Sequence, residues 1–493
     1  MSMKKLVEQN GWTSATVDLD SMDPEVAKMH IMESRPKFKL AYPLSIQHIL
    51  VMYASNLVPI MVVAGVAQLT SDQTVIMLQG ALIAAGLATL INLYPIRIGG
   101  FQIGANLPIM MGTSSTFIPP MTAVAAAAVA MGHHNPIGLV LGGLLVAAIA
   151  EVLLGVFYKY LKHFLPPVVL GCSLLSVGIM LIGIGINNFG GGGPGTNPNF
   201  GSPQNLSVAF LVFTVYVVLQ RFGTGIWKMA SALFAMITGY IVAMMLGMVN
   251  FTPIVEARIF AVPMPFTLGI VFEPWAIGMF FAVYVASGLA TIGYTHTITS
   301  QSMGRMSTNK ETAGALYGDV LGTIVALIFN ALPNTEFGQN AALVAYTKVI
   351  SKWVLTLSSI TLIAASFFPP IGAVFASMPA AVIGGGILAV FAFIMTNALV
   401  LISKDGFPPK KITQLCVTFA IGLGFAPPIG AGVAGSNYSL LIQHLPGWMQ
   451  FITADRILLM SVVAILINIL FMTKEDFARI AKAIRSEEEI EYV

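Results

Sequence analysis

The chain has 493 residues, of which 56% are hydrophobic and only 9% charged, and its formal net charge is +3. A soluble domain carries roughly 25% charged residues, so this composition excludes an ordinary water-soluble fold. The slight positive balance points to no polyanionic partner, and nucleic-acid binding is not expected.

Apolar runs of the roughly 20 residues needed to cross a bilayer recur along almost the whole length. The pattern predicts an all-α polytopic membrane protein. The alternating segments of a transmembrane β-barrel are missing. The 47 Gly and 27 Pro suit close helix contacts and broken helices. The two cysteines, Cys172 and Cys416, both lie in apolar runs and read as small core residues, not as a disulfide or a metal site.

Residues 1–40 are polar and mixed in charge, with no cleavable signal peptide before the first span, and predict a cytosolic arm. The first span begins near Ser45 and contains His48; a second runs from about Val75 to Leu93. Gly99 to Pro120 is polar and broken, with Thr113, Ser114, Ser115 and Thr116 in a row before a proline pair. It reads as a short extended piece followed by a half-helix. Met121 to Lys159 holds a short helix and a full one, and Pro166 to Ile186 another span. An uncharged Gly/Pro/Asn loop, Gly190 to Pro203, leads to spans at Leu206–Leu219 and Ile226–Val249. After a loop at Phe251–Phe266, spans follow at Trp275–Ser300, Ala313–Ala331, Ala341–Val354, Leu355–Phe368, Ala380–Ile402, Ile412–Ala431 and Ile457–Met472. The expected total is about fourteen.

Loop charge orients these spans. Arg97, Lys159, Arg221, Lys228, Arg305, Lys310, Lys352, Lys404, Lys410 and Lys411 fall in alternate loops, and the C-terminal tail is also basic. The other loops hold almost no basic residue beyond Arg258 and Arg456. The positive-inside rule then places both termini in the cytosol. An internal repeat is visible as well: P-P-V-V-L-G-C-S-L-L-S-V from Pro166 matches P-A-A-V-I-G-G-G-I-L-A-V from Pro379 without a gap. An odd number of spans per half, about seven, makes the halves inverted, as in many secondary transporters.

The second break, Ala331 to Lys348, reads A-L-P-N-T-E-F-G-Q-N-A-A-L-V-A-Y-T-K. At membrane depth such a segment must line a cavity or be buried in protein, because lipid cannot satisfy its freed backbone groups. In transporters such breaks mark the substrate site. Gln339 offers both donor and acceptor, which suits a heterocyclic amide edge; the plainer reading is a group that ties down the backbone. Asn340 either bonds the same ligand or holds the break in shape. Glu336 is either a proton-carrying carboxylate or an exposed or capping acid at the following half-helix. His48 is either a ligand donor or a satisfied core histidine. Asp319, in an otherwise small and apolar helix, needs a buried partner and is the best candidate for a structural or proton-linked acid. Glu151 lies nearer a cytosolic end and reads as structural, and Lys348 as a lysine reaching the cytosolic face. There is no Walker A sequence and no His/Cys cluster, so no enzyme, cofactor or metal is expected.

The segment 333–348 resembles the signature of the nucleobase–ascorbate transporter family, the nucleobase:cation symporter-2 group. There Q/E-N-x-G-x4-T-[R/K/G] follows P-x-T-x-[FY]. Gln339, Asn340, Thr347 and Lys348 match, and Ala342 stands at the glycine. The Gln-Asn form is similar to the xanthine/uric acid branch. Gln47-His48, the G-T-S-S-T-F-I-P-P block, F-G-S-P-Q-N-L at 200–206 and Gly318-Asp319 extend the likeness over roughly residues 40–475.

The resemblance implies seven-plus-seven inverted spans. A core would comprise residues 41–160 and 270–370 and a gate residues 161–250 and 371–473, with a cytosolic tail from 474. Short antiparallel strands in spans 3 and 10 would present backbone groups near Ser115, Thr116 and Gly338 to the substrate. Gln339 would contact the base, with His48, Asp319 and Asn340 supporting the site. The core would move as an elevator against the gate, in a plasma-membrane protein that dimerises through its gate. One departure stands out. The family's span-8 carboxylates align with Ala290 and Tyr294, so both are gone; His296 is a weak substitute, and Tyr294 can stack on or hydrogen-bond a ring. Coupling to H+ or Na+ is therefore left open. The expected function is transport of xanthine or uric acid. The alternatives are a uracil or other nucleobase permease, or an anion carrier of the same fold, favoured by two half-helix N-termini facing the site.

Overall fold

The structure, a computed structural model, describes residues 13–14, 17–161, 164–192, 199–224, 226–403, 406–425, 444, 456–478 and 480. The expectations for Lys404, for the end of the span placed at Ile412–Ala431 and for the tail from 481 lie outside these residues.

The first half contains α1 (Phe38–Val66), α2 (Ser71–Leu93), a hairpin of β1 (Ile96–Ile98) and β2 (Phe101–Ile103), and β3 (Met111–Thr113). It continues with α3 (Ile118–Ala130), α4 (Pro136–Ala147), α5 (Ile149–Leu161), α6 (Pro167–Phe189), α7 (Pro203–Phe222) and α8 (Ser231–Met245). The second half contains α9 (Pro274–Thr297), α10 (Asn309–Ile328), β4 (Asn334–Glu336), α11 (Gly338–Thr347), α12 (Lys352–Ser366) and α13 (Pro369–Ala376). It closes with α14 (Ala380–Ser403), α15 (Pro409–Gly424) and α16 (Arg456–Leu470).

Polar residues at the ends start these apolar helices. Thr70 accepts the Gln73 N–H while Gln73 Oε1 accepts the Thr70 N–H, a reciprocal cap for α2. Thr308 and Glu311 do the same for α10, and Arg305 clamps that Glu311 through two bonds of 2.8 and 2.6 Å. The first helix begins at Phe38, ahead of the expected Ser45. Lys39 hides this first turn from a hydropathy reading, although lysine is a good helix former.

Among the described residues, six helices are long and apolar enough to cross a membrane, and a seventh if α12 and α13, bent by 81° at their junction, count as one span. Shorter apolar helices at Ser115–Ala130, Pro167–Ser176, Ser231–Met245 and Leu459–Leu470 add to these. The protein is a multi-pass membrane protein with helices in two groups. In one, α1 to α5 and α9 to α13 pack around β3 and β4; in the other, α6, α7, α8, α14, α15 and α16 pack on one another. Cys172 is buried as expected of a core residue, whereas Cys416 is exposed on α15 and corrects that expectation.

The pair β3–β4 joins segments more than 220 residues apart in the chain. It is antiparallel, with Met111 opposite Glu336, Gly112 opposite Thr335 and Thr113 opposite Asn334. Ser114 N–H to Pro333 O (2.8 Å) and Phe337 N–H to Met110 O (2.9 Å) extend the ladder. A two-stranded ribbon leaves outward N–H groups that lipid or an apolar core cannot satisfy. Side chains supply the partners. Thr89 Oγ1 accepts Met111 N–H (2.9 Å), Asn56 Oδ1 accepts Thr113 N–H (2.7 Å), and Thr323 Oγ1 accepts Asn334 N–H (3.2 Å). Replacing Asn56 by alanine strands a buried donor. The expected cost is about 1–3 kcal/mol, read as a lowered melting temperature in detergent.

The N-terminal arm docks where α11 gives way to α12. Ile350 N–H and Ser351 N–H both donate to Met29 O at 3.0 Å, and Lys352 N–H donates to Met32 O at 2.9 Å. The Lys352 ammonium pairs with Glu33 and with Asn106 Oδ1. Lys348 closes α11 in the left-handed conformation (φ 59°), and its ammonium donates to the Gln301 carbonyl.

Candidate functional site

Each strand of the β3–β4 pair runs directly into a helix start. Beyond β3, Ser115–Phe117 forms a 3-10 turn that feeds α3; beyond β4, α11 begins at Gly338. No side chain caps either start, so their first backbone N–H groups remain for another acceptor. The expected helix after the second break starts at Gly338, not at Ala341.

Ser115 is half-buried and Thr116 buried at the first of these starts. At the second, Gly338 is buried and Gln339 half-buried. Among the described residues none hydrogen-bonds the Gln339 side chain. Its amide keeps its donor and acceptor free in the first turn of α11. The Tyr294 ring of α9 lies on Gly338: a Cβ added there would sit 2.7 Å from the ring and 3.0 Å from the phenol oxygen. Glycine is required by this approach. Ala290, half-buried, is one helical turn before Tyr294 on α9.

Asn340 turns away from this face. Its Nδ2 donates to the His48 carbonyl (3.0 Å) and lies 3.0 Å from His48 Nδ1. The two residues tie α11 to α1, and both are buried. Their bonds are those of a brace between helices.

Two hydroxyls on α9, one turn apart, hold the acids. Thr291 Oγ1 donates to Asp319 Oδ2, and Thr295 Oγ1 donates to Glu336 Oε1 at 2.9 Å. Glu336 is 5% exposed and is neither a surface group nor the cap of α11, which corrects that expectation. It sits in β4, where strand pairing turns its side chain toward α9. Glu151, in the first turn of α5, is fully buried against Asp319. His296 engages Ser307 Oγ (2.7 Å) and Tyr158 OH (3.3 Å).

The structure thus brings Ser115, Thr116, Gly338, Gln339 and Tyr294 around the paired strands, with Asp319 and Glu336 behind α9. Sequence reasoning missed Thr291, Thr295, Asn56 and Thr89. Threonines four residues apart in the apolar run A-T-I-G-Y-T are the signal that could have found Thr291 and Thr295; Asn56 and Thr89 carry none.

A family model described as "Permease family" matches residues 40–432. The Uric acid transporter UacT of Escherichia coli is 26% identical over 450 residues, covering 91% of this chain and 89% of that protein. The Xanthine permease of Bacillus subtilis is 28% identical over 438 residues, covering 89% of this chain and 95% of that protein. Among solved structures, the murine Solute Carrier 26 family member A9 anion transporter in the inward-facing state aligns with a TM-score of 0.60 at 10% identity, over 95% of this chain and 74% of that one. The transmembrane domain of the cyanobacterium bicarbonate transporter BicA aligns with a TM-score of 0.53 at 15% identity, over 73% of this chain and 93% of that one. These two likenesses are of fold.

Proposed function

The chain belongs to the permease family, the nucleobase–ascorbate transporter group, and on that premise we propose that it is a secondary transporter of xanthine or uric acid. It is a permease, not an enzyme. In this reading residues 41–160 and 270–370 form a core of inverted repeats, within about fourteen spans in all. The core carries the purine past a gate of residues 161–250 and 371–473 by an elevator motion, coupled to H+ or Na+. Both termini lie in the cytosol and the gate provides a dimer contact.

The observation that carries the reading is the Gln339 amide, without a partner among the described residues, in the uncapped first turn of α11, where the Tyr294 ring rests on the neighbouring Gly338; a second uncapped start, at Ser115, leaves the other end of the strand pair. A purine presents alternating N–H and C=O groups at its edge and a flat face. The amide matches the edge as donor and acceptor. The backbone N–H groups at Ser115 and Gly338 face carbonyl or anionic oxygens. Tyr294 supplies a ring for the flat face. The same N–H groups suit a small inorganic anion, but a free amide and an aromatic ring add nothing for it.

Radiolabelled uptake into proteoliposomes tests the proposal. Saturable uptake of xanthine or urate, with uracil and sulfate failing to compete, is the expected result. Saturable sulfate or bicarbonate exchange without purine uptake would overturn it.

A further inference from the structure

We propose that Glu151 and Asp319 together form a buried proton-binding site in the core. The proposal deepens the transport reading, and its transport arm rests on that reading. Both residues are 0% exposed. Their carboxyl groups lie side by side, one from α5 and one from α10. No donor among the described residues reaches either oxygen of Glu151, and Asp319 Oδ1 likewise lacks one. The Asp319 carboxyl is met by the Thr291 hydroxyl, at Oδ2, and by the Glu336 backbone N–H. The Glu151 carboxyl lies against α9 at Gly288, where an added Cβ would sit 2.4 Å from Leu154 and 3.3 Å from Glu151 Oε1.

Among the described residues no cation faces this pair. From α9 the facing groups are the Thr291 hydroxyl and the Tyr284 phenol, from β4 the Glu336 carboxyl, and from α2 the neutral Asn92 beside Gly318. On β2 the Gln102 amide donates to the Gly104 carbonyl, and α4 contains no ionisable residue. Two like charges side by side in a dry interior are too costly to coexist unpaired. A proton between the carboxyls supplies the donor that the Glu151 oxygens lack. Loading binds one H+ from water to one carboxylate, which then hydrogen-bonds the other; unloading returns that H+ to water only when water reaches the pair and solvates both carboxylates. Among the described residues no group of three or more His, Cys, Asp or Glu side chains is placed to hold a metal ion.

The pair connects to the substrate face. Glu336, with one buried oxygen unpartnered, lies within electrostatic reach of Asp319 on one side and of Tyr294 on the other. Glu336 thus stands between the pair and the ring that rests on Gly338.

Infrared spectroscopy of the purified full chain across neutral pH is the test, with transport as its second arm. The expected result is a protonated-carboxyl band in wild type, sensitive to exchange into deuterated water, that disappears in Glu151→Gln and in Asp319→Asn. Absence of that band in wild type, which needs no variant to fold, overturns the proposal. So does a band unchanged in both variants. In proteoliposomes the ratio of uptake with an inward acid gradient to uptake without one is expected to fall to about one in Glu151→Gln; an unchanged ratio contradicts the site. Should wild type take up no purine, the transport reading fails while the infrared result still decides the pair.

Discussion

Replacing Gln339 by alanine is expected to weaken xanthine and urate binding by about 10- to 100-fold, equivalent to about 1.4–2.8 kcal/mol. The amide has no partner among the described residues, so its removal leaves no internal group orphaned. The loss therefore falls on the ligand, whose edge donor and acceptor lose their counterparts in a desolvated site. Thermal stability without ligand is expected to stay within about 0.5 kcal/mol of wild type, because no buried bond is broken. Calorimetric titration of the purified protein with each purine, beside a thermal melt, measures both. A Gln339→Ala protein that binds both purines as wild type does would remove this residue from the site.

The second large effect is expected at Gly338. An alanine there drives its Cβ to 2.7 Å from the Tyr294 ring, well inside contact distance. Overpacking of this kind costs about 1–3 kcal/mol. In the proposed site the ring and the first turn of α11 both border the purine, so uptake is expected to fall by about tenfold or more with little change in expression. Removing the obstacle restores the fit: Tyr294→Ala in the Gly338→Ala background is expected to recover thermal stability. A double-mutant cycle on melting temperature then gives a favourable coupling for this pair. Strictly additive effects would mean that ring and glycine do not meet.

Much of this arrangement was legible in the chain. The polar breaks at Thr113–Thr116 and Pro333–Asn340 stand out because oil surrounds them, and hydropathy alone locates both. The residues around Gln339 carry a signature that implied the family. What no local pattern gives is the pairing of Met111 with Glu336 across the fold, because strand register is set by tertiary contacts. The side chains that satisfy the ribbon edges, Asn56, Thr89 and Thr323, look like ordinary polar residues in apolar helices; only the position of a distant N–H explains them. Glu336 was misread for a related reason. An acid next to a helix start resembles a cap, and only the strand register shows it turned toward Thr295.

The central claim is that two interrupted helices, held by one strand pair, grip the transported purine between their starts. Cysteines introduced singly at Ser115 and at Gln339, in a background lacking Cys172 and Cys416, allow maleimide labelling with and without saturating xanthine or urate. The account predicts that purine slows labelling at both positions by about tenfold or more, in line with an occupied site. Labelling at both positions that is indifferent to a purine the protein demonstrably transports would contradict it.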